Sequence, residues 1–334
     1  MALRIAINGF GRIGRNAARI ILSKYAEEMT LVAINDLTDT PTLAHLFTYD
    51  SLYGAYKENA TAEENTILVG NQSIKVFSEK DPLQLPWKSL EIDVVLECTG
   101  VFTDIKGCQL HVDAGAKKVV LSAPAKDGMP TFVLGVNEGI YEKNMNIVSN
   151  ASCTTNSLAP IVQILEDAYG IESGLLTTVH SFTQDQRLHD APHKDLRRAR
   201  NATQSIIPTT TGAAKTVEKV IPALKGKLDG ISLRVPTPVV SFTDFTCTLK
   251  TAPKNIDEVK NLFVEKAKNN YKGILAATSI PLVSIDYRGN TNSSIVDLDC
   301  TFLQNEKLLK ICAWYDNEWG YSNRLVELAQ YIAS

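Results

Sequence analysis

The feature that most constrains this chain is Gly9-Phe10-Gly11-Arg12-Ile13-Gly14, set between an apolar run and an amphipathic one. Residues 5–8 read as a buried strand, and Ile13, Ala17, Ile20 and Ile21 then share one helical face. A G-x-G-x-x-G turn from strand to helix permits a tight bend and close backbone approach, so that a pyrophosphate can rest on the helix N-terminus. Asp36 lies 22 residues past Gly14, at the end of the next apolar run, 31–34. Its carboxylate is placed to accept hydrogen bonds from ribose hydroxyls and to repel a 2′-phosphate. The glycine spacing alone would also suit a bare turn. With strand, helix and acid in register the reading is a dinucleotide site, NAD favoured over NADP.

The pattern continues with apolar runs at 92–96, 119–121 and 147–148, continuous as in parallel strands buried on both faces. Near residue 152 the character changes. Leu158, Ile161, Val162 and Leu165 give one helical stripe, and strands rich in Thr and Val follow at 175–179, 231–235, 239–249, 294–301 and 308–314. One helix, 256–268, interrupts them, with Asn255 and Glu258 forming a capping box. Leu325, Leu328, Ala329 and Ile332 mark a final helix. This predicts an α/β Rossmann-like domain over 1–151, completed by a C-terminal helix at 317–334. An α+β domain with a mainly antiparallel sheet takes 152–316.

At 334 residues there is room for two cores. A net charge of −3 gives no basic face for nucleic acid, and no apolar run approaches the ~20 residues that span a bilayer. The segment 194–200 is basic, but short runs of this kind are usually solvated surface. The first residues pass directly into a strand, without the apolar core of a signal peptide. The six cysteines show no C-x-x-C and no zinc spacing, so the expectation is a reduced, soluble, cytoplasmic protein with no metal.

Ser149-Asn150-Ala151-Ser152-Cys153-Thr154-Thr155-Asn156 places a thiol where a helix begins. The half-positive charge and unpaired N–H groups of a helix N-terminus favour a thiolate and can bind an oxyanion. A buried structural cysteine is the other reading, and the polar flanks argue against it. His180 ends the strand at 175–179 and reaches Cys153 if both elements open onto one cleft. A solitary histidine is otherwise structural or surface-exposed.

Five segments together resemble the glyceraldehyde-3-phosphate dehydrogenase family, in the family's order and from about residue 3 onward. They are 9–14, 149–156, Thr178-Val179-His180-Ser181-Phe182-Thr183, Thr210-Thr211-Gly212-Ala213-Ala214-Lys215, and Tyr315-Asp316-Asn317-Glu318-Trp319-Gly320-Tyr321. The resemblance implies Cys153 as nucleophile and His180 as its base and ion-pair partner. It implies that Gly9, Gly11, Arg12, Ile13, Gly14 and Asp36 hold NAD, with Lys80 and Ser122 on the adenosine side and Asn317 and Tyr321 near the nicotinamide. Ser152, Thr154, Thr211 and Gly212 resemble the site for inorganic phosphate. Thr183, Arg198 and Arg234 resemble the cradle for the phosphate of glyceraldehyde 3-phosphate. A homotetramer is implied, its S-shaped loop falling at 181–206.

Two departures from the family pattern stand out: Ser157 where many members carry a second cysteine, and Ala191-Pro192 where many NAD-specific members have Leu-Pro. The first leaves Cys153 without a neighbouring thiol. The second relaxes a wall that helps exclude a 2′-phosphate. The nearest alternative activity is erythrose-4-phosphate dehydrogenase, against which 209–215 argues. A dinucleotide-binding regulatory protein without catalysis is the alternative from another class, and intact Cys153 and His180 argue against that.

Overall fold

The structure is a computed structural model that describes residues 2–334. Among these residues the chain forms two compact units. The first takes the chain up to Phe132 with Ile140–Ala151 and Ser322–Ser334, and the second takes Val133–Gly139 and Ser152–Tyr321. Val133–Gly139, expected in the first domain, groups with the second unit, where Gly135 backs onto Tyr271 and Ile274. The final helix, Trp319–Ala333, groups with the first unit from Ser322 rather than from 317.

In the first unit six strands run parallel. Their order is Ile147–Ser149, Lys118–Leu121, Val94–Glu97, Leu3–Asn8, Met29–Asn35 and Gln72–Phe77. Residues 94–97 are buried throughout, as the continuous apolar run predicted. Two antiparallel strands, Thr66–Val69 and Ala60–Glu63, extend the far edge. Sequence reading missed this edge because its burial alternates, leaving no continuous apolar stretch. Asn8, Asn35 and Glu97 all stand at the carboxyl ends of neighbouring strands, where an open α/β sheet binds its ligand.

The glycine turn explains itself sterically. A Cβ on Gly14 would lie 2.2 Å from the carbonyl oxygen of Gly9, so only glycine lets the helix Arg12–Lys24 seat against the turn. Gly9 has φ +90°, and a Cβ there would meet the backbone of Thr99 at 2.6 Å. Along the helix Ala17, Ile20 and Ile21 are buried, while Ile13 is half-buried.

The second unit is built on a seven-stranded sheet. Its order is Ile207–Thr210, Leu228–Val235, Ile171–Ser181, Ser241–Leu249, Leu308–Tyr315, Ser294–Gln304 and Leu275–Thr278. Four of the six pairings are antiparallel, and two, at 171–181 with 228–235 and 275–278 with 294–304, are parallel. A second helix, Ala213–Val220, interrupts the strands besides Ile256–Lys268. With only eight residues and lysines among its apolar positions, it is too short to announce itself by periodicity. The predicted capping box is half formed. Asn255 Oδ1 accepts from Glu258 N at 3.0 Å, but the Glu258 carboxylate turns to Lys254 N and the Tyr169 hydroxyl.

The helix Cys153–Tyr169 starts at the thiol itself. Ser152 Oγ caps it by accepting from Thr155 N at 3.0 Å, and Gly170, at φ +67°, ends it. Leu158, Ile161, Val162 and Leu165 are fully buried, anchoring this helix and with it the position of Cys153. No helix among the described residues is long and apolar enough to cross a membrane.

Candidate active site

In the first unit a cavity of about 470 Å³ opens at the strand ends beside the glycine turn. Gly9, Gly11, Asp36 and Lys80 line it, as the sequence predicted, and so do Asn8, Asn35, Glu79, Thr99 and Phe102, which sequence reasoning did not single out. A Cβ on Gly11 would meet nothing within 4 Å, so the turn faces open space wide enough for a ligand. No side chain caps the first helical turn, which leaves that end suited to a pyrophosphate. Asp36 Oδ2 accepts from Phe10 N at 2.8 Å and Oδ1 from Thr38 N at 3.0 Å. Each oxygen keeps a second acceptor site for a ribose hydroxyl. These residues fit a dinucleotide.

Four residues predicted for this pocket are not on its wall: Arg12, Ile13 and Gly14, in the first turn of the helix, and Ser122. The Arg12 guanidinium turns away to Asp50, with contacts of 2.5 and 3.3 Å, and stacks over Tyr53. This pairing holds the Asp50 carboxyl below its usual range against the burial that would raise it. Arg12 can therefore serve the cofactor through its backbone position at the helix start. Ser122 is off the cavity wall; its N–H donates to Glu97 O and its hydroxyl touches Cys98, which does line the cavity.

In the second unit Cys153 Sγ lies 3.4 Å from His180 Nε2. The parallel register sets His180 directly opposite Arg234, and Arg234 Nη1 approaches His180 Nδ1 at 2.9 Å and Ser181 O at 3.3 Å. His180 Nδ1 is 2.7 Å from Ser181 O. A proton on Nδ1, donated to that carbonyl, leaves Nε2 as an acceptor facing the thiol, the tautomer a base requires; Arg234 Nη1, which can only donate, then serves Ser181 O rather than Nδ1. The Arg234 Nε is buried without a hydrogen-bond partner, an arrangement suited to an incoming anion.

Tyr315 fastens the two sides together. Its hydroxyl meets Thr154 Oγ1 at 2.9 Å and Thr178 Oγ1 at 2.8 Å, and its ring stands edge-on to the imidazole. Sequence reasoning quoted this residue without giving it a role. The signal was available only in its burial, at the end of a strand.

Burial pushes the Cys153 thiol up, while the Arg234 charge and the bonds with Thr154 pull it down. Burial, then the nearby Arg234 charge, lowers His180 to about 3, against the pull of the Ser181 carbonyl. Moving the proton from Sγ to Nε2 sets opposite charges 3.4 Å apart. That attraction is about 5 kcal/mol at an effective dielectric of 20. Burial of both groups opposes the transfer, while Arg234 favours the thiolate and disfavours the imidazolium.

The remaining predicted residues also belong to the second unit. Arg198 donates to Thr209 Oγ1 at 2.8 Å and pairs with Asp185. Thr183 is held by Gln186 Oε1, Thr211 Oγ1 accepts from Ala213 N, and Gly212 opens the helix Ala213–Val220. Asn317 is buried with Oδ1 accepting from the Ser241 hydroxyl, and Tyr321 is buried. The neighbouring Asp316 fixes this segment by accepting from Gly289 N, Glu318 N and Trp319 N.

Family models match both halves of the chain. Residues 3–105 match the glyceraldehyde 3-phosphate dehydrogenase NAD binding domain, and 152–317 match the C-terminal domain of the same family. The class is an NAD-dependent oxidoreductase. Relatives of full length include glyceraldehyde-3-phosphate dehydrogenase 2 of Streptomyces arenae, 50% identical and covering 100% of this chain and 99% of the relative. Another, of Nostoc sp., is 51% identical over 99% of this chain and 98% of its own length. The enzyme of Geobacillus stearothermophilus is 50% identical over 100% and 99%. The chain belongs to the glyceraldehyde-3-phosphate dehydrogenase family.

Proposed function

We propose that this chain oxidises and phosphorylates D-glyceraldehyde 3-phosphate to 1,3-bisphosphoglycerate, using NAD⁺ and inorganic phosphate. The observation that carries the reading is the 3.4 Å approach of Cys153 Sγ to His180 Nε2, with Arg234 behind the imidazole. Cys153 Sγ attacks the aldehyde carbon, and the thiol's proton passes by way of His180 Nε2 to the carbonyl oxygen, giving a hemithioacetal. His180 Nε2 then receives that hydroxyl proton as the carbonyl re-forms. The 9–14 turn, Asp36 and Lys80 would hold NAD⁺, which would supply the hydride acceptor, and the family resemblance assigns Asn317 and Tyr321 to its nicotinamide end. The carbon left on Sγ is a thioester. A phosphate oxygen attacks it, the C–S bond breaks, and Sγ leaves as a thiolate.

Two phosphates near one thiolate call for cations and hydroxyls, and bidentate arginine suits them. Arg234, with its unpartnered Nε, and Arg198 take this part, with Ser152, Thr154, Thr183 and Thr211 as hydroxyl donors. A phosphate at Arg198 competes with Asp185 for the guanidinium. The test is NADH formation from glyceraldehyde 3-phosphate and NAD⁺ with phosphate added or omitted. Phosphate-independent turnover at full rate, or faster oxidation of erythrose 4-phosphate, defeats the proposal in favour of the hydrolysing relative. A role in glycolysis, a cytoplasmic location and a four-copy assembly go with this reading. The assembly would appear as a species of about 146 kDa, four times 36.6 kDa, in solution.

A further inference from the structure

Behind the cavity of the first unit lies a buried titratable pair that the proposed chemistry does not use. Glu97 and His111 are both fully buried, and His111 Nε2 is 2.9 Å from Glu97 Oε2. The protonation pattern can be assigned by starting from Trp87, whose indole N–H can only donate. It donates to His111 Nδ1 at 3.0 Å, so Nδ1 is an acceptor and the ring proton sits on Nε2, facing the carboxylate. Glu97 Oε2 also takes Asn8 Nδ2 at 2.6 Å, and Glu97 Oε1 takes Thr99 N at 2.8 Å and Thr99 Oγ1 at 2.5 Å. Four donors fill the four acceptor sites of a carboxylate. The 3.2 Å approach of Asn8 Nδ2 to His111 Nε2 is two donors converging on one oxygen.

From Glu97 the chain of bonds runs into the cavity walls. Asn8 Oδ1 accepts from Asn35 Nδ2 at 2.7 Å; Asn35 Oδ1 accepts from Glu79 N at 2.8 Å, and Asn35 Nδ2 also reaches Glu79 O. Asn8, Asn35, Glu79 and Thr99 all line the cavity. The Thr99 backbone is also what Gly9 packs against, so the carboxylate that holds Thr99 sets the height of the glycine turn. The ring of Phe102, another wall residue, stands edge-on to His111.

We infer that Trp87, His111 and Glu97 form a positioning relay for NAD⁺. An indole donor fixes one histidine tautomer, that tautomer fixes Glu97, and Glu97 holds the floor and both walls of the nucleotide cavity in their binding geometry. The relay acts through Asn8, Asn35 and Thr99 and touches no reacting atom. It rests on the reading of this cavity as the nucleotide site.

Two measurements test it. In ¹⁵N-histidine-labelled protein at pH 7, the His111 signals, assigned by their loss in His111→Gln, should show the proton on Nε2 and an accepting Nδ1; a proton on Nδ1 overturns the assignment. For the second, the NAD⁺ Kd is read by calorimetry, alongside kcat at saturating NAD⁺. His111→Leu orphans both the indole donor and one carboxylate site, and should raise Kd about tenfold with kcat little changed. His111→Gln, which can accept from the indole through Oε1 and donate to Glu97 through Nε2, should restore Kd to near wild type. Trp87→Phe removes only the donor within a similar ring, and should raise Kd by several-fold even if the leucine variant does not fold. Unchanged Kd in Trp87→Phe and any folded His111→Leu, or a glutamine variant as weak as the leucine one, overturns the relay. Loss of NAD⁺ binding in Asp36→Gly alongside an unaffected His111 series defeats the relay alone, whereas indifference to Asp36 defeats the cavity reading.

Discussion

The two units build their sites by opposite means. The nucleotide cavity opens on backbone, a glycine turn and a helix start, with Asp36 one strand away and further wall residues at 79–80 and 98–102. The thiol site is framed by side chains from residues 153, 180, 234 and 315, brought together only by the sheet register and by the tyrosine bridging two threonines. At the glycine turn the amide groups remain whatever side chain nearby is lost. The thiol site depends on individual charges in a buried setting, where each is worth more. Losing the thiol or its imidazole should therefore cost far more than any single change at the nucleotide cavity.

The largest effect should come from Cys153→Ala, which removes the atom that carries the acyl group. Turnover should vanish while NAD⁺ binding stays measurable by calorimetry; NADH production near the wild-type rate would end the covalent proposal. His180→Asn comes next, with a loss of roughly 10²–10⁴-fold in kcat for a missing base. It also removes the imidazole that takes up the thiol's proton, so the thiolate should form only at higher pH. Because the thiolate is the reactive form, the curve of iodoacetamide alkylation against pH then moves to higher pH, and the rate at pH 7 falls. An inflection that stays in place would show that thiol and imidazole titrate independently.

Asp36 tests the contrast from the other side. Repulsion between its carboxylate and a 2′-phosphate at ~4 Å is about 1 kcal/mol in water and about 4 kcal/mol at an effective dielectric of 20. NAD⁺ should be preferred over NADP⁺ by between about fivefold and about a thousandfold in kcat/KM. Asp36→Asn removes the charge but keeps an oxygen for Phe10 N, so NADP⁺ should improve with little damage to the turn. Asp36→Gly loses both and should weaken NAD⁺ further. Equal use of both cofactors by the wild type, unmoved by either substitution, would reduce Asp36 to a turn residue. The smallest effect is predicted for Tyr315→Phe, which keeps the ring against His180 but leaves Thr154 and Thr178 without the hydroxyl. Turnover should drop a few-fold, roughly 1 kcal/mol, with the KM for NAD⁺ unchanged. A loss as large as that of His180→Asn would mean that the hydroxyl takes part in the chemistry.

The sequence by itself determined the glycine turn, Asp36 on the cavity wall and the helix that begins at Cys153. Each rests on interactions within a few residues or on an apolar period, and such interactions can be read without knowing what packs where. Tertiary structure alone decided the rest. Only the parallel pairing of 171–181 with 228–235 sets Arg234 against His180, and only folding turns Arg12 to Asp50 and Arg198 to Asp185. A resemblance can suggest that an arginine binds a ligand, but which carboxylate it meets depends on loops that are distant in sequence. The relay from Trp87 to Asn35 was equally hidden. It links five side chains between residues 8 and 111, none marked by periodicity, and a buried hydrogen-bond network exists only once water has been excluded from all of its members.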